Sequence, residues 1–212
     1  RRMVVGGDSA GGGLALGLLH RLLALGLPCP AAVLAFSPWA DMTLAGASLV
    51  TRAAEDAYLP AARLPEVRDA YLAGADPRDP LASPWLGQFT GAPPVLIQAS
   101  RAEILLDDAR AMAATLARDG VAVGLDLWDR TPHAWQLYHA GLPEAATALD
   151  RAAAGVTRIV VAQRVATITD ADQIIVLDEG RVVGRGTHAE LLADNQTYRE
   201  IVDSQLTAED VA

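Results

Sequence analysis

The sequence predicts an α/β fold, a parallel sheet flanked by helices, followed by a small C-terminal β-hairpin and helix appendage. Three observations carry that expectation. Short apolar runs alternate with helix-like or loop segments through most of the chain, which argues for a parallel sheet with helices on both faces. The first of these runs passes directly into a glycine-rich turn and an apolar helix. All 12 prolines lie at or before Pro143, so the C-terminal part of the chain differs in composition from the part before it.

The elements run in chain order. Met3 to Val5 is the first strand candidate, Gly6 to Gly13 the turn, and Leu14 to Leu25 an apolar helix. Ala32 to Phe36 is the second strand. Residues 49–89 are too long for a plain connection and are rich in Pro, Asp and Ala, so they form an excursion with a helix near Leu64 to Leu72. Val95 to Gln98 is the third strand; Asp107 and Asp108 open the helix after it, where acids face the positive end of the helix dipole. Val121 to Leu127 is the fourth, and a helix over Trp135 to Ala154 leads to an alanine-rich seam near residues 150–157. Beyond it Arg158 to Ala162 and Ile174 to Leu177 are strand candidates, Asp178 to Arg181 a turn, and Val182-Val183 the returning strand. A helix starts near Thr187, which makes a T-x-x-E capping box with Glu190. A right-handed crossover through the Trp135 helix places Arg158 to Ala162 beside Val121 to Leu127 at the late edge of the sheet. The Met3 edge is then left to the hairpin, to a second copy of the chain, or to nothing.

Composition narrows the function. Of the 212 residues 51% are hydrophobic and 20% charged, with a net charge of -9, which argues for a packed domain and against a footprint for nucleic acid or anionic lipid. Every basic residue is arginine; without lysine there is neither a complete Walker A loop nor a Schiff-base lysine. One cysteine, Cys29, permits no internal disulfide and no cysteine-rich metal cluster, and cytoplasm is the expected compartment. The apolar stretch from Leu14 to Phe36 is broken by His20, Arg21, Pro28 and Pro30, short of a membrane span. The chain opens on RRMVV, a strand already in progress rather than a signal peptide, as a fragment would.

Gly7-Asp8-Ser9-Ala10-Gly11 is G-x-S-x-G in the strand-turn-helix setting that holds a serine Oγ above a sheet edge, with the small residues Gly7 and Gly11 expected to allow the tight turn. The helix start behind Ser9 favours developing negative charge, with the Ala10 N–H as an oxyanion donor. The competing dinucleotide fingerprint needs an acid about 20 residues on, where this chain reads Leu27-Pro28-Cys29-Pro30. A serine nucleophile needs a histidine base, and that base an orienting acid. Among four histidines, His20 lies in the first helix, His139 on the next helix and His188 beyond the seam, whereas His133 comes after the fourth strand at the edge where open α/β sheets place their sites. Glu103, just past the third strand, is the acid at that same edge. Ser9, Glu103, His133 is the chain order of an α/β-hydrolase triad.

GDSAGGGLA, SPWADMTLAG, ADPRDPLASPWLG, EILLDDAR and TPHAWQLY together resemble the bacterial hormone-sensitive lipase-like esterases of the α/β-hydrolase superfamily. The resemblance covers residues 1–150. It implies a partial α/β-hydrolase sheet, with the strands that precede the nucleophile strand and their H-G-G-G oxyanion motif missing ahead of Gly7. It also implies Ser9 as nucleophile, His133 as general base and acid, and Glu103 as orienting acid, in the place where the family more often has aspartate. The implied reaction is hydrolysis of a small carboxylic ester through an acyl-enzyme, without cofactor or metal. After the seam, TRIVVAQRVATITDADQIIVLDEGRVVGRGTHAELL and TYREIVDSQL resemble the C-terminal end of an ABC-exporter nucleotide-binding domain across residues 157–206. Gln163 stands where that family usually has its switch histidine. The two expected domains are therefore 1–150 and 157–212, the latter without catalytic residues. The alternative to an esterase is a non-catalytic chimera carrying a piece of a transport ATPase, and an open sheet edge would allow homo-oligomers.

Overall fold

A computed structural model describes residues 3–153, 165, 168–169, 171–178 and 180–209. The chain divides into two compact units, Arg1–Ile159 and Val160–Ala212.

In the first unit β1 (Val4–Asp8), β2 (Ala32–Phe36), β3 (Val95–Ser100) and β4 (Val123–Trp128) form a fully parallel sheet in the order β1-β2-β3-β4. Side chains alternate between faces. Val33, Ala35, Val95, Ile97 and Ala99 pack on one face against α1 (Ala10–Ala24) and α4 (Leu106–Arg118), through Leu16, Leu19, Met112 and Leu116. Val4 and Leu34 face the other way, against Ala152 of α5 (Pro143–Ala153). The excursion contains α2 (Ser48–Thr51) and α3 (Leu64–Leu72); Leu64 joins Trp39, Met42, Ile104 and Leu105 in a second core above the C-terminal ends of the strands.

Three elements differ from expectation. Helix α1 starts at Ala10, because Gly12 and Gly13 are helical and buried at its first turn; low propensity yields there to tight packing. The expected Trp135 to Ala154 helix is two pieces, a 3-10 turn Trp135–Tyr138 and then α5, with Pro143 as the first residue of α5, where its missing N–H costs nothing. β1 runs on to Asp8 through two glycines, because its ladder with β2 holds as far as Asp8 opposite Phe36.

In the second unit β5 (Ile174–Asp178) and β6 (Arg181–Gly186) form an antiparallel hairpin, longer on its returning side than expected. Ile174 and Val176 pack with Val165, Leu191 and Tyr198 beneath α6 (His188–Asp194) and α7 (Gln196–Glu209). The capping box forms as expected: Thr187 caps the Glu190 N–H, and the Glu190 carboxylate accepts from Thr187 N at 2.8 Å. The Arg158 to Ala162 strand and Gln163 lie outside the described residues. Among the described residues β5 and β6 pair with each other, and β1 pairs on one side, with β2.

Candidate active site

Ser9 sits between β1 and α1 with φ 53° and ψ -121°. That left-handed φ is costly for any residue with a Cβ and persists only where the surroundings enforce it. The enforcement is visible. Ser9 N donates to Phe36 O at 2.8 Å, and Ser9 O accepts from Trp39 N at 2.9 Å as well as from Gly13 N in its own helix. Gly7 makes the turn sterically feasible, since a Cβ there would run into the Gly11 carbonyl and lie 2.9 Å from Gly12 N. Gly11 has no such role: a Cβ on it meets nothing within 4 Å. The expectation that both glycines are needed for the turn is corrected for Gly11, whose backbone is the obstacle but whose own side faces open space.

Glu103 and His133 come together. His133 Nδ1 lies 2.8 Å from Glu103 Oε2, and both side chains are almost wholly buried. Glutamate therefore reaches the histidine without difficulty. Its other oxygen accepts from Ser100 N at 3.1 Å, so the carboxylate is fixed at both ends. Ser100 Oγ in turn donates to Thr131 O, tying the end of β3 to the loop that carries His133. His133 Nε2 is buried and has no hydrogen-bond partner. The structure thus joins His133 to Glu103 and holds Ser9 at the same edge of the sheet, with no hydrogen bond from Ser9 to His133. A cavity of about 290 Å³ beside this pair is lined by Glu55, Asp56, Arg130, Thr131 and His133, among others, and the Tyr58 ring lies 5.9 Å from that of His133.

The other histidines have different surroundings. His20 bonds Gln88 O and tilts against Phe89, and His188 bonds the Tyr198 hydroxyl in the second unit. Asp107 and Asp108 do open α4 as expected, but they also bind main chain across the fold. Asp107 accepts from Ser48 N, and the buried Asp108 accepts from Ala40 N and Asp41 N. Burial, reinforced by the neighbouring Asp41 charge, pushes the Asp108 carboxyl well above the ordinary aspartate range. Periodicity gave no sign of this role, since a carboxylate that holds a distant loop and one that faces a helix dipole look alike in sequence. Four of the six described non-glycine residues with left-handed φ, Ser9, Ser37, Arg130 and Ala134, flank the site. Such clustering of strain is characteristic of functional loops. Among the described residues no group of His, Cys, Asp and Glu is placed to hold a metal, and no helix is long and apolar enough to cross a membrane.

A parallel sheet whose C-terminal edge carries a strained serine elbow, a carboxylate and a histidine defines an α/β hydrolase. Residues 1–137 match the alpha/beta hydrolase fold family, and the chain belongs to it. In particular, it is 46% identical over 153 residues to an acetyl-hydrolase of Streptomyces hygroscopicus, covering 72% of this chain and 51% of that protein. A crystal structure of an esterase from the bacterial hormone-sensitive lipase family superposes with a TM-score of 0.68 at 42% identity, over 70% of this chain and 50% of that one. The chain spans about half the length of these hydrolase relatives. Its C-terminal part is similar to ABC transporter B family member 2 of Dictyostelium discoideum, 51% identical over 59 residues, which are 28% of this chain and 4% of that protein. Both resemblances carried by the sequence motifs are thereby met.

Proposed function

We propose that residues 1–150 carry the chemistry of a serine carboxylesterase acting on small esters. The observation that supports it most directly is the buried Glu103–His133 pair, whose Nε2 is left free to take a proton. In this reading Ser9 Oγ attacks the ester carbonyl carbon while His133 Nε2 accepts its proton. Glu103 holds the Nδ1 proton, fixing the tautomer, and stabilises the imidazolium that forms. The Ala10 N–H and the positive end of α1 face the developing oxyanion. The tetrahedral intermediate collapses by breaking the bond to the alcohol oxygen, which takes the proton from His133. Water then repeats the sequence on the acyl-Ser9 ester, releasing the acid and restoring the serine.

Residues 157–212 are the C-terminal part of an ABC-type ATPase domain without a nucleotide site of their own. This second similarity favours one competing reading, a non-catalytic chimera. The net charge of -9 and the single cysteine support a cytoplasmic protein with no nucleic-acid partner, and the pairing of β1 on one side alone among the described residues supports self-association.

A fluorophosphonate probe separates the two readings. Wild-type chain becomes labelled at Ser9, and Ser9→Ala is not. Absence of wild-type labelling would establish the chimera reading, and equal labelling of the variant would remove Ser9 from the mechanism.

A further inference from the structure

Residues 36–41, Phe-Ser-Pro-Trp-Ala-Asp, reach the Ser9 elbow, β3, the His133 loop and α4. Phe36 O and Trp39 N bind the two main-chain polar groups of Ser9. Ser37 N donates to Gln98 O on β3 at 2.7 Å, and the fully buried Ser37 Oγ accepts from Ala134 N at 3.1 Å, one residue beyond His133. Ser37 and Ala134 both have left-handed φ, 45° and 51°, so neither loop rests in a conformation it would keep alone. The far end of the segment is closed by one side chain. Asp108 Oδ2 accepts from Ala40 N at 3.0 Å and Asp41 N at 2.9 Å. Asp108 belongs to the first turn of α4, only five residues beyond Glu103.

We infer that Asp108 is a positioning residue for the site: through the Ser37–Asp41 segment it holds the Ser9 elbow and the His133 loop in register with each other. The physical argument is one of satisfaction. Without the carboxylate, Ala40 N and Asp41 N become two buried donors with no acceptor. The segment relieves that cost by shifting toward water. Because it is six residues long and bonded at both ends, a shift at Ala40 draws Trp39 N away from Ser9 O and Ser37 Oγ away from Ala134 N. An amide oxygen accepts from both N–H groups as a carboxylate does, so Asp108→Asn keeps the clamp and Asp108→Ala removes it.

The test is amide hydrogen exchange in the full chain, read at Ser9, Trp39 and Ala134 and compared with Ile97 in the core of β3. Asp108→Ala is expected to lower protection at the three site amides about tenfold with Ile97 unchanged, the scale of a lost buried hydrogen bond. Asp108→Asn is expected to leave protection of the three site amides relative to Ile97 as in the wild type. Site protection that stays high in Asp108→Ala, or that falls equally at Ile97, overturns the inference, as does an equal loss in Asp108→Asn. A second readout rests on the esterase reading: the rate of Ser9 phosphonylation should fall in Asp108→Ala at unchanged probe affinity and recover in Asp108→Asn. If wild-type Ser9 proves unreactive, that reading fails while the exchange pattern still decides the role of Asp108.

Discussion

Within Gly7-Asp8-Ser9-Ala10-Gly11 the two glycines should respond to alanine with opposite signs. At Gly7 the new methyl meets main chain of α1's first turn, the Gly11 carbonyl closest and Gly12 N at 2.9 Å. It stands about 1 Å short of ordinary van der Waals contact with that carbonyl. Main chain cannot rotate aside as a flexible side chain can, so β1 and α1 must separate, at about 3 kcal/mol, the upper part of the range for overpacking. At Gly11 the added methyl meets nothing within 4 Å. The substitution instead lowers the entropy of the unfolded chain and improves helix propensity, a gain of about 0.5–1 kcal/mol. Urea unfolding followed by tryptophan fluorescence measures both, since all four tryptophans, Trp39, Trp85, Trp128 and Trp135, belong to the first unit. Gly7→Ala should lower the midpoint and Gly11→Ala raise it slightly. Equal destabilisation by both, or a neutral Gly7→Ala, would refute the steric account of the elbow.

Glu103→Gln should slow Ser9 phosphonylation on the order of 1,000-fold by releasing the histidine tautomer, whereas Asp108→Asn should change it less than about threefold; the reverse order would give Asp108 the acid role. Burial raises the Asp108 carboxyl well above the ordinary 3.8, so its contribution to stability is fully present below that value and is lost as pH rises through the raised one. Asp108→Asn should therefore match wild type in acid and gain on it as pH rises toward neutrality in the same urea assay; a difference independent of pH would contradict this. In the second unit Thr187→Ala removes the α6 cap at about 1 kcal/mol, seen as roughly fivefold faster exchange at the Leu191 amide; unchanged exchange there would show that the cap carries no stability.

The order of strands and helices was legible from the sequence because it rests on local physics. Alternating apolar runs, glycine at a tight turn and proline at a helix start constrain their own neighbourhoods, and α3 over Leu64–Leu72 and β2 over Ala32–Phe36 fall where periodicity placed them. The same holds for Glu103 and His133, each positioned by the strand before it. Where the turn chemistry was under-weighed, as at Pro143, an expected continuous helix proved to be two pieces.

Tertiary structure alone decided how the site is held. The acceptor for Ala40 N and Asp41 N lies 67 or more residues away in the chain, on α4. The acceptor for Ala134 N is Ser37, 97 residues back. Such bonds exist because buried main-chain donors must find acceptors wherever packing brings them near. A residue's type shows only that it is able to serve: Asp107 and Asp108 are adjacent and identical in sequence, yet one remains partly exposed and the other buries its carboxylate to hold a loop. Packing of α4 against β3 and β4 decided which one, and with it how the Ser9 elbow and the His133 loop are kept in place.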